Sequence, residues 1–205
     1  MSSFNNHSLL IQNNRINGGL SSNGIIVTNS STKKLQPTFD TLLISHNKIN
    51  TNQGVLIMNV STNEGNNILP THSLLSQSYG DRHIISNEIT LKINSNNSNT
   101  IAMGISIKSS KNIFCINNSI KTLGVFIHPI FNNHTGINIL NSPNTLLYKD
   151  SIFYCHNGIT VNNNNLFSNI YCNHLDYIFN YINLLGPQLR LTNLNTQFSN
   201  FFFSL

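Results

Sequence analysis

The stretch LLISHNKI, residues 42–49, is the clearest indication of the fold of this chain, because its pattern returns four times elsewhere. The pattern is an apolar residue, two spacers, Asn or Asp, one spacer and then Ile. The other copies are LLIQNNRI at 9–16, HIISNEI at 83–89, FCINNSI at 114–120 and LLYKDSI at 146–152. A phrase that returns every 31–40 residues or so, about the length of one structural repeat, predicts a solenoid.

One polar position of the phrase holds nearly the same chemistry in every copy. It is filled by Asn14, Asn47, Asn87, Asn118 and Asp150. Parallel strands stack about 4.7–4.9 Å apart, so equivalent amides can hydrogen-bond to one another along the stacking direction. Asn also tolerates the left-handed backbone of sharp corners. We therefore predict a ladder of these five side chains at a corner. The aliphatic residues expected to face inward after it are Ile16, Ile49, Ile89 and Ile120.

A second phrase, a glycine followed by three strand-forming residues, lies between copies of the first. It begins at Gly24, Gly54, Gly104, Gly124, Gly136 and Gly158. β-branched residues suit a pleated, half-buried surface, and glycine suits a tight corner. We expect two short strands in each repeat, one from each phrase. The inward columns expected from the second phrase contain Ile105, Ile107, Ile137, Ile139, Ile159 and Val161.

Together the two phrases resemble those of the right-handed parallel β-helix family, the pectate-lyase-like and NosD-like fold. The resemblance implies an all-β, right-handed parallel β-helix solenoid of roughly six to seven irregular coils. The strict six-residue period of a left-handed β-helix is missing. The loose repeat pattern is specific for this fold and unspecific for an activity.

The repeat pattern divides the chain into three predicted segments. Residues 1–8 form an N-terminal lead or cap, residues 9–177 the β-helix, and residues 178–205 a C-terminal capping or interface segment. The last segment carries the apolar cluster Phe201, Phe202 and Phe203. Because an open solenoid end exposes strand edges and apolar core, this cluster either caps the helix within the chain or binds a partner.

The composition fits a folded protein with little surface charge. Charged residues make up 8% of the 205-residue chain, against about 25% in ordinary proteins. Hydrophobic residues make up 39%, which argues against disorder. No signal peptide and no apolar membrane-spanning stretch is read, so the sequence leaves the localisation undetermined.

The net charge of +5 is spread thinly. Lys108, Lys111 and Lys121, with Lys92 just before them, form either a patch for an acidic glycan or a phosphate backbone, or scattered solubilising charge. Nucleic-acid binding is not favoured, because it needs clustered basic residues with aromatics interleaved.

Catalysis has few candidate residues. The chain holds six acids, and β-helix lyases and hydrolases work through clustered carboxylates. The candidate site is Asp150 with Asp176, and His174 or Lys149 nearby. The alternative is that Asp150 is a ladder residue and Asp176 a surface residue.

The three cysteines predict no disulfide framework. Cys115 takes the inward position of its phrase and is expected in the core. Cys155-His156 and Cys172-Asn173-His174 contain metal-ligand types, but their spacing matches no zinc pattern, so we expect a buried pair of thiols. No metal or cofactor is predicted.

Two hypotheses about function follow. The first is a non-catalytic structural or binding β-helix that acts as a subunit of a virion, spike or surface layer, with other protein subunits or its own copies as partners. The second is a carbohydrate-active lyase or hydrolase, degenerate in its catalytic residues, with a glycan as its ligand.

Overall fold

The structure is a computed structural model that describes residues 8–28, 31–32, 41–62, 82–93, 101–123, 134–162, 168–176, 178, 180–185 and 197–199. These residues form strands and turns only. No helix among them has the length and apolar character that crossing a bilayer requires. The second-phrase copy at Gly124 and the cluster Phe201–Phe203 lie outside the described residues.

Twenty-one strands are present in the described part of the chain. The first eight are β1 (Ser8–Gln12), β2 (Arg15–Asn17), β3 (Asn23–Thr28), β4 (Ser31–Thr32), β5 (Thr41–Ser45), β6 (Lys48–Thr51), β7 (Gln53–Met58) and β8 (Ser61–Thr62). The next six are β9 (Arg82–Ile85), β10 (Glu88–Lys92), β11 (Ala102–Lys108), β12 (Ile113–Ile116), β13 (Ser119–Leu123) and β14 (His134–Leu140). The last seven are β15 (Leu146–Tyr148), β16 (Ser151–Phe153), β17 (Asn157–Asn162), β18 (Asn169–Tyr171), β19 (His174–Asp176), β20 (Asn180–Leu185) and β21 (Gln197–Ser199).

The strands form three large sheets in which every pairing is parallel. Sheet 1 has the order β1-β5-β9-β12-β15-β18, sheet 2 the order β2-β6-β10-β13-β16-β19-β21, and sheet 3 the order β3-β7-β11-β14-β17-β20. The short strands β4 and β8 pair separately. Strand order within each sheet follows chain order, so the chain visits the three sheets in turn and stacks each repeat on the previous one. This all-parallel, repeated arrangement is consistent with a parallel β-helix solenoid.

Each repeat contains three strands, and the prediction of two was wrong. The first phrase supplies two of them, because the chain bends between β5 and β6 and at the equivalent places elsewhere. The bend comes from a left-handed residue immediately before the ladder position, not from the ladder residue itself. These residues, with φ between 53° and 57°, are Asn13, His46, Ser86, Asn117, Lys149 and Cys172. Only two of the six are Asn, so the corner tolerates several side chains.

The core lies between the three sheets and consists of in-register columns of aliphatic residues. Ile105 pairs with Ile137 and Ile137 with Ile159, and Ile107 continues through Ile139 to Val161. All six are fully buried, which confirms the two predicted columns. The same columns extend to Val55 and Ile57 and then to Ile25 and Val27 in the earlier repeats.

The sheets continue beyond residue 177, into the segment assigned from the sequence to capping or an interface. Strand β20 pairs with β17 in sheet 3, and β21 pairs with β19 in sheet 2. Ile182 lies in register with Ile159 and packs against the core. Part of this segment therefore continues sheets 2 and 3.

The glycine of the second phrase is required by a close approach of two backbones. A Cβ added at Gly104 would lie 2.5 Å from the carbonyl oxygen of Gly136 and 2.5 Å from Cγ2 of Ile120. The first of these is backbone in the adjacent strand, which cannot move without disturbing the sheet. At Gly19 an added Cβ would meet nothing within 4 Å.

We predict that Gly104→Ala destabilises the protein by about 1–3 kcal/mol, because the methyl group overpacks the junction between strands. Gly19→Ala is the matched control and should change stability by less than about 0.5 kcal/mol. Urea unfolding followed by circular dichroism measures both. Equal stability of the two variants would contradict the close approach.

Candidate functional site

The most distinctive polar feature of the molecule is the corner between sheets 1 and 2, where the predicted ladder residues are hydrogen-bonded in series. The backbone N–H and the side-chain Nδ2 of each Asn both donate to Oδ1 of the next ladder residue. The distances, N first, are 3.0 and 3.0 Å from Asn14 to Asn47, 3.1 and 3.0 Å from Asn47 to Asn87, 3.1 and 2.9 Å from Asn87 to Asn118, and 2.8 and 2.9 Å from Asn118 to Asp150. The ladder is present as the sequence predicted.

Each interior amide also bonds backwards, to a carbonyl oxygen of the preceding repeat. The Nδ2 atoms of Asn47, Asn87 and Asn118 donate to the carbonyl oxygens of Ile11, Ile44 and Ile84 at 2.8, 3.0 and 2.8 Å. Every acceptor lies three residues before the previous ladder residue. Both amide protons are used in this way, which explains how these side chains can be almost completely buried.

The ladder has a further member, Asn173, that the sequence analysis missed. The backbone N–H of Asp150 donates to Oδ1 of Asn173 at 2.8 Å, and Nδ2 of Asn173 donates to the carbonyl oxygen of Leu147 at 3.2 Å. Its phrase is NIYCNHL at 169–175, which ends in Leu where the other copies end in Ile. A pattern that accepted any aliphatic residue at that place would have found it.

A second, smaller series of hydrogen bonds lies at the corner where the chain leaves sheet 3. The backbone N–H of Val60 donates to Oγ of Ser110 at 3.2 Å, and the N–H of Ser110 donates to Oγ of Ser142 at 3.2 Å. Each serine follows the glycine of the second phrase by six residues. This spacing was readable in the sequence, because it also places Ser30 six residues after Gly24, although Ser30 lies outside the described residues.

The predicted catalytic residues do not form one solvent-facing site. Asp150 is fully buried within the ladder. His174 and Asp176 alternate with the buried Leu175 on β19 and therefore lie on the outer face of sheet 2. The ring of His174 lies 5.6 Å from that of Phe153. Lys149 is exposed at the left-handed corner position, with Nζ 5.0 Å from the ring centroid of Tyr148.

The carboxyl groups of the described residues are Glu88, Asp150 and Asp176. Glu88 is paired with Lys48 at 2.9 Å, and the hydrogen bond from that lysine lowers the pKa of Glu88. Glu88 and Asp176 are three strands apart in sheet 2, or about 14 Å at the normal strand spacing. Two-carboxylate glycosidases need roughly 5–9.5 Å, so none of the described acids pairs on a solvent face at that spacing.

The predicted lysine patch is divided between two sheets. Lys108 projects from the outer face of β11 in sheet 3, and Lys111 is exposed in the turn that follows. Lys121 is exposed on β13 in sheet 2. Nζ of Lys92 donates to the carbonyl oxygen of Gly18 at 2.7 Å and so links two repeats.

The cysteines do not form the expected buried pair. Cys115 and Cys155 are buried, whereas Cys172 is exposed because it takes the left-handed corner position before Asn173. Burial raises the pKa of Cys155 to about 12, and its thiol donates to the carbonyl oxygen of Phe153 at 3.6 Å. Across the described ranges, no three His, Cys, Asp or Glu side chains are grouped so as to hold a metal ion.

Comparisons with known proteins identify no relative. No protein-family model, no curated protein and no solved structure matches the chain.

We predict that Asn118→Ala lowers the free energy of unfolding by about 1–3 kcal/mol, because it leaves the buried N–H and Nδ2 of Asn87 without their acceptor. Asn14→Ala is the matched control within the same ladder. Asn14 is exposed, so water replaces its lost bonds and the cost should stay below about 1 kcal/mol. Urea unfolding measures the stability of both variants. A similar loss of stability in the two would contradict a ladder whose interior residues are buried and hydrogen-bonded.

Proposed function

We propose that the protein is a non-catalytic structural or binding subunit of a larger assembly, built on a right-handed parallel β-helix of six to seven coils. Right-handedness is supported by the strong preference of parallel crossovers for that hand. The coil number is supported by six successive sets of three strands, with β21 belonging to another.

This proposal rests on apolar side chains that are exposed on the outermost strands of the sheets. Among the described strands, β1, β2 and β3 are outermost in their sheets at one end of the stack. Leu10 on β1 is 59% exposed and Ile26 on β3 is 48% exposed. Their register partners Leu43 and Leu56 are half-buried, because repeats flank them on both sides. Strand edges with exposed apolar side chains are surfaces for pairing with another chain.

A non-catalytic role is supported by the placement of the acids. Asp150 accepts hydrogen bonds within the ladder, and Glu88 forms an ion pair with Lys48. Asp176 lies away from both, on the outer face of sheet 2. The alternative, a carbohydrate-active lyase or hydrolase, draws no support from the carboxyl groups in the described ranges.

The proposed partner is another protein subunit or a second copy of the chain, stacked on this end so that its strands continue the sheets. Such a contact would cover Leu10 and Ile26 as the neighbouring repeat covers Leu43 and Leu56. It relies on backbone hydrogen bonds and apolar burial, which suits a protein with few charged residues.

We predict that the purified chain self-associates in sedimentation-velocity centrifugation, with an average mass that rises with concentration. The double variant Leu10→Lys/Ile26→Lys should remain folded, because both side chains are exposed, and should shift the protein toward monomer. Ile101→Lys is the matched control, since Ile101 is 49% exposed but lies far along the chain from β1–β3. A wild-type monomer at all concentrations, also unaffected by the double variant, would overturn self-association through this end.

A further inference from the structure

The fifth residue of the ladder, Asp150, differs from the other members in one atom of its side-chain end group. Asn47, Asn87 and Asn118 each hold Nδ2 between two acceptors, namely Oδ1 of the next ladder residue and a carbonyl oxygen of the preceding repeat. Asp150 has a carboxyl oxygen where these residues have an NH₂ group. Its Oδ1 fills the normal acceptor role toward Asn118, so Oδ2 takes the place of the donor.

The spacing shared by the other members predicts which two acceptors lie opposite this position. The backward acceptor always lies three residues before the previous ladder residue, as Leu147 does for Asn173. For Asp150 that residue is Cys115. The forward acceptor is Oδ1 of Asn173, which already accepts the backbone N–H of Asp150 at 2.8 Å.

Oδ2 of Asp150 is buried and makes no hydrogen bond. An ionised carboxylate only accepts hydrogen bonds, so it would place a buried negative charge against two further acceptor oxygens. A neutral carboxylic acid has one O–H donor and can give that proton to either oxygen, as an amide does. A proton on Oδ2 would give this buried, unpaired oxygen a hydrogen bond to donate.

We propose that Asp150 is protonated in the folded ladder and that loss of this proton is a pH-dependent switch that weakens the joint between the repeats it connects. Burial raises the pKa of Asp150 to about 7, and the hydrogen bonds from Asn118 and the backbone of Tyr148 oppose the rise only in part. The switch therefore operates near neutral pH.

The groups around Asp150 offer no charge that would stabilise its ionised form. Cys115, the thiol buried beside it, has a pKa raised well above the ordinary value, mainly by burial, and is neutral. The basic groups on neighbouring elements point outward. The ionisable residues on the elements packed around Asp150 are Cys115 on β12, Lys121 on β13, Tyr148 and Lys149 at the end of β15, and Cys172, His174 and Asp176 around β19.

The direction of the pH effect follows from these values. The pKa of Asp150 is about 7 when folded and about 3.9 when unfolded. Between these two values the folded chain holds a proton that the unfolded chain has lost, so stability falls as pH rises. The contribution of protonated Asp150 to the free energy of unfolding is fully present below about pH 4 and is lost as pH rises through about 7.

The test is Asp150→Asn, which restores the amide and removes the titration. We expect the unfolding equilibrium constant of the wild type, relative to that of the variant, to rise about a hundred-fold between pH 5 and pH 8. Asp176→Asn, an acid on the outer face, is the control and should leave the wild-type pH dependence unchanged. A constant ratio of wild type to Asp150→Asn across this range would overturn the proposal.

A second measurement tests whether Asp150 is protonated in the folded protein, even if the Asp150→Asn variant fails to fold. Infrared spectroscopy of the wild-type protein at pH 5 should show the C=O stretching band of one buried, protonated carboxylic acid, and this band should disappear by pH 8. An absent band at pH 5, where exposed carboxylates are largely ionised, would show that Asp150 is ionised and that the switch does not exist.

The double variant Asn118→Asp/Asp150→Asn should move the pH dependence to the neighbouring ladder residue.

Discussion

In-register parallel stacking of the strands determines how both the core and the corners of this protein are built. Because each strand lies directly beside its equivalent in the next repeat, every position of the repeat becomes a column running along the stack. A column of Ile fills the core, as at Ile107, Ile139 and Val161. A column of Asn satisfies the buried backbone N–H of each interior ladder residue, because that N–H donates to Oδ1 of the next ladder side chain. A one-residue slip would bring polar residues into the core and break every hydrogen bond of the ladder at once.

The sequence predicted the parts of the fold that depend on this repetition. The ladder positions, the inward columns and the all-β parallel architecture were readable, because each is a single residue type that recurs at one place in the repeat. The number of strands per repeat could not be predicted from the sequence. The bend inside the first phrase is made by residues as different as His46, Ser86 and Lys149, so no residue type marks it.

The candidate site was less predictable, because its chemistry depends on burial. Asp150 and Asp176 look equivalent in the sequence, yet one lies inside the corner and the other on the outer face of sheet 2. Burial raises the pKa of Asp150 to about 7 and closes its carboxyl group off from solvent, whereas a catalytic carboxylate would need access to a substrate.

Hydrogen exchange can test whether the ladder holds successive repeats together. The backbone N–H groups of Asn47, Asn87, Asn118 and Asp150 each donate to the next ladder residue within a buried corner. Native-state exchange measured by NMR should find these four amides among the most slowly exchanging in the chain, opening only with global unfolding. Exchange at the rate of an unstructured peptide would show that the corners are open to water and that the ladder does not hold the stack.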